Sequence, residues 1–137
     1  MPNDEYLEAQ VMTASPHRLH QLVVDGAIRH TKQAEIALEA NDFEKSHFAL
    51  SSARDFVTEL IGGLDADPAP ELVSQMKELF VFVYRRLFDA DTHHDPQLAR
   101  EALRILELHR EAWVELGEQL TSHGSSTGNQ TRTDLSG

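Results

Sequence analysis

The sequence predicts an all-α protein: an antiparallel, up-down-up-down four-helix bundle with an N-terminal arm or short helix packed on it. Apolar residues recur at three- and four-residue steps in four segments, 16–40, 42–62, 69–91 and 96–120. Few stretches show the alternation that a half-buried strand requires. The breaks between the segments are short, and short loops between long helices favour antiparallel neighbours.

Three of the four helix starts are marked by a proline that follows a capping side chain. Ser15-Pro16 places a hydroxyl N-cap before a proline at the first helical position, where the missing N–H is not needed. Asp67-Pro68 and Asp95-Pro96 repeat the pattern with a carboxylate, which also suits the positive end of the helix dipole.

The start of the second helix and the roles of two glycine positions are predicted from other signals. Asn41, with Glu44 three residues later, predicts a variant of the capping box. Gly62-Gly63 predicts the end of the second helix, since glycine tolerates the left-handed conformation there. Gly26 lies inside a helical pattern, where glycine is less favourable than alanine by about 1 kcal/mol. We therefore expect a neighbouring helix or the N-terminal arm to approach closely at that point.

The 137 residues suffice for one domain with one core, and they divide into three parts. Residues 16–120 form the predicted bundle. Residues 1–15 form an arm whose apolar side chains predict packing on the bundle. Residues 121–137 contain four Ser, four Thr and three Gly, and such a tail is predicted to be disordered because it buries too little apolar surface.

Charge and composition exclude several classes of function. The 12 Lys+Arg against 23 Asp+Glu give a formal charge of −11, which argues against nucleic acid and anionic membrane surfaces as partners. The absence of cysteine excludes disulfides, thiolate zinc sites and cysteine nucleophiles. No apolar run reaches the roughly 18 residues of a membrane span, and no secretory signal is visible. A cytoplasmic protein is the expectation.

The eight histidines raise the question of a metal or phosphotransfer site. A ferritin-like di-iron site needs two Glu-x-x-His motifs, whereas Glu44–His47 is the single one and lies at a helix start. His17 and His20, and the run His93-His94-Asp95, are expected to be exposed polar residues at helix ends. Segment 30–33 lacks the Lys-Gly pair typical of a phosphotransfer histidine. No phosphate-binding loop or nucleophile elbow occurs, so we predict no enzyme activity, no cofactor and no metal.

The third predicted helix is apolar around much of its circumference. Phe80, Phe82, Tyr84 and Phe88 point in several directions, although a helix in a four-helix bundle has one core-facing side. Such a helix either lies at the centre of a core or lines a groove for another helix. We favour the groove, and a core position for these aromatic residues is the alternative.

A series of motifs points to a family. It begins with Thr13-Ala14-Ser15-Pro16 and Asp25-Gly26-Ala27, and continues with Ala53-Arg54-Asp55-Phe56-Val57 and Trp113 at near-uniform spacing. Over roughly residues 6–116, the series resembles the flagellin-specific export chaperones, the FliS family. The Thr-Ala-Ser-Pro opening followed by Asp-Gly-Ala is the most specific part of the likeness.

The resemblance implies an antiparallel helical bundle with an N-terminal arm that acts in the cytoplasm and needs no nucleotide or metal. Chaperones of this family bind the disordered C-terminal segment of newly made flagellin, parts of which become helical against apolar grooves. Binding prevents premature filament assembly and presents flagellin to the flagellar type III export apparatus, so the export gate is a further expected partner. A groove without its client can be covered by a second copy, which makes a homodimer one expected state.

The candidate site residues follow from the groove hypothesis. For the client-binding groove we predict Val24, Phe56, Phe80 and Tyr84. In the arm, Tyr6 and Val11 are predicted to act as a displaceable lid when no client is bound. The alternative function is an unrelated helical adaptor that binds another amphipathic segment, ahead of a metal-binding or histidine-phosphotransfer bundle.

Overall fold

The computed structural model describes residues 15–64 and 69–136, with side chains through Thr121. Four helices follow one another: α1 Pro16–Glu39, α2 Phe43–Gly62, α3 Pro70–His93 and α4 Pro96–Ser136. Within these residues no strand is present. The all-α, four-helix prediction is confirmed, whereas residues 1–14 of the predicted arm, which comprises residues 1–15, lie outside the described part of the chain.

The helices form a ring in which each packs against two neighbours. α1 contacts α2 and α4, and α3 contacts the same two helices. Residues 40–42 connect α1 to α2, and residues 94–95 connect α3 to α4. Such short connections make consecutive helices antiparallel, which agrees with the predicted up-down-up-down order.

Small and branched apolar side chains fill the centre of the ring. Burial of this stripe from each helix is the main source of free energy that holds the four helices together. Alanines in all four helices allow close approach of the backbones. The fully buried core side chains include Val24, Ala27, Ala34, Leu50, Ala53, Val57, Phe80, Val83, Leu87, Ala90, Ala99, Ala102 and Leu106.

Two of the three predicted proline starts are confirmed. Ser15 Oγ accepts a hydrogen bond of 3.2 Å from a backbone N–H in the first turn of α1. Asp95 Oδ1 accepts one of 2.9 Å from a backbone N–H in the first turn of α4. The Asp67-Pro68 pair lies outside the described residues, and α3 begins at Pro70 after an N-cap, Ala69, that makes no side-chain hydrogen bond.

Two local predictions need correction. The N-cap of α2 is Asp42 rather than Asn41, since Asp42 Oδ1 accepts from the backbone N–H of Lys45 at 3.2 Å. Asn41 instead turns the chain between the helices in the left-handed region, with φ 57°. Gly63 ends α2 at φ −87°, outside the left-handed region, and its N–H donates to the Glu59 carbonyl.

The fourth helix is longer than its apolar pattern. We expected the bundle to end near residue 120, whereas α4 extends to Ser136. No proline interrupts this stretch, so nothing in the backbone chemistry forces the helix to stop earlier. The disorder of residues 121–137, which was predicted because they bury too little apolar surface, stays a prediction.

Candidate binding surface

Helix α3 exposes aromatic side chains on two flanks. Its core stripe contains Phe80, which is fully buried. On the flank toward α2, Tyr84 and Phe88 are 37% and 52% exposed. On the flank toward α4, Phe82 is 43% exposed. Several exposed aromatic rings on one helix indicate a surface that another molecule covers.

A groove with a volume of about 580 Å³ lies between α2 and α3. α2 contributes Thr58 and Ile61, and α3 contributes Val81, Tyr84 and Phe88. The lining is mostly apolar with a few polar groups, which suits the apolar face of an amphipathic helix. We call this surface the α2–α3 groove.

Beyond the α2–α3 groove, the open surface continues along α3 toward its start, on residues of α3 alone. A second depression of about 630 Å³ shares Val81 and Arg85 with the first and reaches Pro70. From Pro70 to Asp89, α3 is about 30 Å long at 1.5 Å per residue. A surface of this length accepts a chain segment of several helical turns rather than a small molecule.

An ionic cluster fixes one end of the α2–α3 groove. Arg54 of α2 donates from Nη1 to Asp91 Oδ2 at 3.2 Å, and both side chains are largely buried. His47 Nδ1 lies 2.8 Å from the same Asp91 oxygen. The guanidinium carbon of Arg54 is 5.7 Å from the centre of the Phe88 ring. The cluster therefore holds α2 against the end of α3 and supports the position of Phe88.

The four predicted groove residues do not come together on one surface. Val24 and Phe80 are fully buried in the core and present no surface to solvent. Tyr84 lines the α2–α3 groove, and its contact with a client stays a prediction. Phe56 is half-buried on the opposite side of α2, where its ring stacks on His30 of α1 with centroids 5.4 Å apart. The predicted lid residues, Tyr6 and Val11, lie outside the described residues.

Gly26 marks a close approach of α1 and α2. A Cβ added there would lie 2.5 Å from Cε1 of Phe56. The expectation of a close neighbour at this glycine is confirmed, and the neighbour is a helix. A second helical glycine, Gly117 of α4, faces the ring of His17 in the same way, and the sequence patterns did not single it out.

A cluster of histidine and aromatic rings joins the start of α1 to α4. His17 stacks on Trp113 with centroids 4.6 Å apart, and Trp113 Nε1 donates to the His17 carbonyl at 2.9 Å. The Nε2 atoms of His20 and His109 are 2.8 Å apart, and His109 packs edge-on against Phe80. The prediction that His17 and His20 are exposed is therefore wrong, since both are half-buried against α4.

Burial changes the protonation of this cluster. Burial, with smaller contributions from His109 and His17, lowers the pKa of His20 to about 4. Burial also lowers the pKa of His109. Both rings are therefore neutral near pH 7, one donating and one accepting. The available sequence signal was the i, i+3 spacing on α1 together with His109 and Trp113 at i, i+4 on α4.

Other candidate histidines serve the fold or face solvent. His93 and His94 end α3 and are exposed, as predicted, and His94 stacks on Phe43 with centroids 3.9 Å apart. Within the described ranges, no group of three or more His, Asp or Glu side chains is placed to hold a metal ion. None of the described helices has a stretch long and apolar enough to cross a membrane.

Comparison with known proteins decides the family. Residues 1–120 match the family described as flagellar protein FliS. The chain belongs to the FliS family. The flagellar secretion chaperone FliS of Salmonella typhimurium is 33% identical over 111 residues, which cover 80% of this chain and 82% of that protein. FliSB of Pseudomonas aeruginosa is 30% identical over 107 residues, or 78% and 85% of the two chains. FliS of Bacillus subtilis is 28% identical over 126 residues, or 90% and 93%.

FliS membership confirms the resemblance and makes the chain a flagellar secretion chaperone rather than an enzyme. The motifs that carried the resemblance have structural roles. Ser15 caps α1, and Gly26 admits the ring of Phe56. Asp25 Oδ1 accepts from Arg110 Nε at 2.6 Å, which ties α1 to α4.

Proposed function

We propose that this FliS-family chain binds the disordered C-terminal segment of flagellin in the cytoplasm, prevents its premature polymerisation and delivers it to the flagellar type III export apparatus. The observation that carries the proposal is the α2–α3 groove, an elongated apolar surface with Tyr84 and Phe88 open to solvent. The relatives named flagellar secretion chaperones support the same function.

The proposed mechanism is folding of the client coupled to its binding. An amphipathic segment becomes helical as its apolar face enters the groove. Each Å² of apolar area buried contributes about 25 cal/mol, which the ordering of the segment partly offsets. A flagellin segment held in this way cannot present the same apolar face to other flagellin molecules.

We also propose that the N-terminal arm covers part of the groove in the free protein. Fourteen residues precede Ser15, and a fully extended segment of that length spans roughly 45–50 Å. Tyr6 and Val11 lie nine and four residues before Ser15, so from the start of α1 they reach at most about 30 Å and about 14 Å. Such a lid protects the apolar surface from aggregation and lowers the apparent affinity for the client.

Calorimetry with a peptide of about 40 residues from the C-terminus of flagellin tests the main proposal. We expect one-to-one binding with a negative heat-capacity change and a gain of helical circular dichroism. No binding at tens of micromolar, by a chain shown to be folded, would contradict the flagellin assignment and favour a helical adaptor for another amphipathic segment.

Paired variants locate the binding surface. Phe88→Ser removes a 52% exposed ring from the α2–α3 groove, and we expect it to lower the affinity for the flagellin peptide by about tenfold or more. Phe48→Ser is the matched control, because Phe48 is 67% exposed on α2 and lines no part of this groove. Equal losses in the two variants would place the client elsewhere.

Deletion of residues 2–12 tests the lid. The shortened chain should bind the same peptide with equal or higher affinity, since nothing then competes for the groove. A large loss of affinity without loss of folding would instead make the arm part of the binding surface. Sedimentation of the free chain shows whether a second copy covers the groove, since a client peptide would then dissociate the dimer.

A further inference from the structure

Two depressions lie side by side between α1 and α2, with volumes of about 230 and 480 Å³. Gln33 of α1 and Lys45 of α2 line both of them. Ile36 borders the first depression, and Phe48 borders the second. We call this surface the α1–α2 face. None of its lining residues lines the α2–α3 groove or the depression along α3.

The α1–α2 face exposes two large apolar side chains. Ile36 and Phe48 are 68% and 67% exposed, the largest fractions among the large apolar side chains that the structure describes. Neither belongs to the core or packs against it. A single exposed apolar residue is common on a protein surface, but two that border adjoining depressions indicate a surface that another molecule covers.

Each of the two helices also carries an exposed charge two turns from its apolar residue. Arg29 precedes Ile36 by seven residues on α1, and Asp55 follows Phe48 by seven residues on α2. Seven residues make about two helical turns, so on each helix the charge and the apolar side chain lie along one stripe. Neither Arg29 nor Asp55 forms an ion pair with another described residue. The face therefore presents one such charge of each sign.

The packing of α1 on α2 sets the heights of these residues along the bundle. Gly26 of α1 faces the ring of Phe56 of α2, and the two helices are antiparallel. Counted from this contact, Ile36 lies two residues beyond the level of Phe48, a difference of about 3 Å along the helix axis. The two apolar side chains therefore stand at nearly the same height.

The same count applies to the charges. Arg29 lies two residues, about 3 Å, beyond the level of Asp55, and the difference has the same direction as for the apolar pair. An antiparallel α2 at the height of the chain's own α2 would thus meet Ile36 with Phe48 and Arg29 with Asp55 at one register. A second copy of this chain offers such a helix.

We propose that the α1–α2 face binds a second copy of this chain about a two-fold axis parallel to the helices. This axis places α1 of each copy against α2 of the other at equal height. Ile36 of one copy then packs on Phe48 of the other, and Arg29 pairs with Asp55. Each contact occurs twice, because the interface is symmetric.

The size of the face fits a weak, reversible dimer. α2 has 20 residues and is about 30 Å long, and two helices side by side are about 20 Å wide. The face covers roughly 600 Å² per copy, which is at the lower limit of specific interfaces. We therefore expect a dissociation constant in the micromolar range.

The formal charge of −11 on each copy opposes association but does not prevent it. Charges farther apart than about 8 Å are largely screened at physiological salt, whereas the pairs across the interface are in contact. The dimer leaves the α2–α3 groove of both copies open, because the two surfaces share no lining residue. Each dimer can then hold two clients, one on each chain.

Sedimentation of the full chain between about 1 and 200 μM tests the proposal. We expect a monomer that becomes a dimer as the concentration rises. Phe48→Ser and Ile36→Ser should each raise the dissociation constant by about tenfold or more. Phe88→Ser removes an exposed ring of the α2–α3 groove and is the matched control, which should dimerise as the unaltered chain does. A chain that stays monomeric at about 200 μM, or a dimer that Phe88→Ser weakens as much as Phe48→Ser, would overturn the proposal.

An exchange of charges tests the two-fold arrangement. Arg29→Glu alone places like charges across the interface twice, and so does Asp55→Arg alone, so each variant should dimerise at least about tenfold more weakly. In a mixture of the two variants, one copy of each brings opposite charges together at both places. The mixture should therefore form a dimer of the two variants with nearly the affinity of the unaltered chain. A mixture that stays monomeric would show that α1 does not face α2 of the other copy.

The flagellin peptide separates this inference from the proposed function. The peptide should bind the monomeric Phe48→Ser chain as tightly as it binds the unaltered chain, and it should leave the unaltered dimer intact. Dissociation of the dimer by the peptide would place the client on the α1–α2 face and overturn the inference. If the peptide binds to neither form, the flagellin assignment fails while the sedimentation and charge-exchange results still decide the dimer.

Discussion

His20 of α1 and His109 of α4 share a hydrogen bond between Nε2 atoms 2.8 Å apart. A neutral imidazole has one donor and one acceptor nitrogen, so one ring donates and the other accepts. Trp113 packs on the His20 ring at 4.1 Å between centroids and reduces access of water to the pair. The contact between these helices therefore depends on how many protons the two rings carry.

We predict that the protein loses stability as the pH falls from about 6.5 toward 4. The pKa of His20 is lowered from 6.5 to about 4, and that of His109 is also lowered. The unfolded chain therefore binds protons on these rings at a higher pH than the folded chain does. As the pH falls, this binding stabilises the unfolded state, and the free energy of unfolding decreases. The loss should be about 1–2 kcal/mol after allowance for partial solvent exposure.

Urea denaturation at pH 7.5 and pH 5 measures this loss. His20→Phe removes one titrating ring and should reduce the difference between the two pH values. His93→Gln, at the exposed end of α3, is the matched control and should leave the difference unchanged. Equal stability of the unaltered protein at both pH values would show that the pair does not govern its acid response.

Gly26→Ala tests the close approach of α1 and α2. The new Cβ would lie 2.5 Å from the Phe56 ring, which must move. We predict a loss of about 1–3 kcal/mol in the free energy of unfolding. Gly62→Ala is the control, because no atom lies within 4 Å of its added Cβ, and its stability should stay equal or rise. A stable Gly26→Ala protein would mean that Phe56 can rotate away freely.

Phe80→Ala and Tyr84→Ala separate the core from the binding surface. Phe80 is fully buried, so its truncation should lower the free energy of unfolding by about 3–5 kcal/mol. Tyr84 is partly exposed, so its truncation should lower the free energy of unfolding by about 1 kcal/mol or less. Its main effect should be a lower affinity for the flagellin peptide. Denaturation measures the stability of both variants, and calorimetry measures their affinity for the flagellin peptide. A small loss of stability with weaker binding in Phe80→Ala would mean that Phe80 contacts the peptide directly.

Truncation after Thr121 tests the contribution of the tail. The removed residues are rich in Ser, Thr and Gly, which bury little apolar surface. The free energy of unfolding should therefore change by less than about 0.5 kcal/mol. Thermal denaturation of the full and shortened chains gives the answer, and a melting temperature several degrees lower would show that the end of α4 packs on the bundle.

The sequence predicted the helices well because their signals are local. Apolar periodicity and the capping side chains of Ser15 and Asp95 depend only on neighbouring residues. The start of α2 was misplaced by one residue because Asn41 and Asp42 are both good caps. The left-handed turn at Asn41 decides between them, and that turn depends on how α1 meets α2.

The candidate site was less predictable because it depends on contacts between helices. The apolar circumference of α3 predicted a groove that includes Tyr84, and Tyr84 does line the α2–α3 groove, although its role in binding stays a prediction. It did not show that Phe80 faces the core, since the rotation of α3 is set by its packing on α2 and α4. The burial of His17 and His20 likewise depends on α4.

Helix α3 buries one stripe in the core and leaves both flanks open. A helical segment that enters the α2–α3 groove can extend the bundle by a fifth helix without displacing a core side chain such as Val83. If the proposed client binds in this way, we expect the rate of association to be limited by ordering of the incoming chain rather than by rearrangement of the bundle. Under the proposed function, we therefore expect the bundle to act as a preformed template on which a disordered client becomes ordered, with little change in its own backbone.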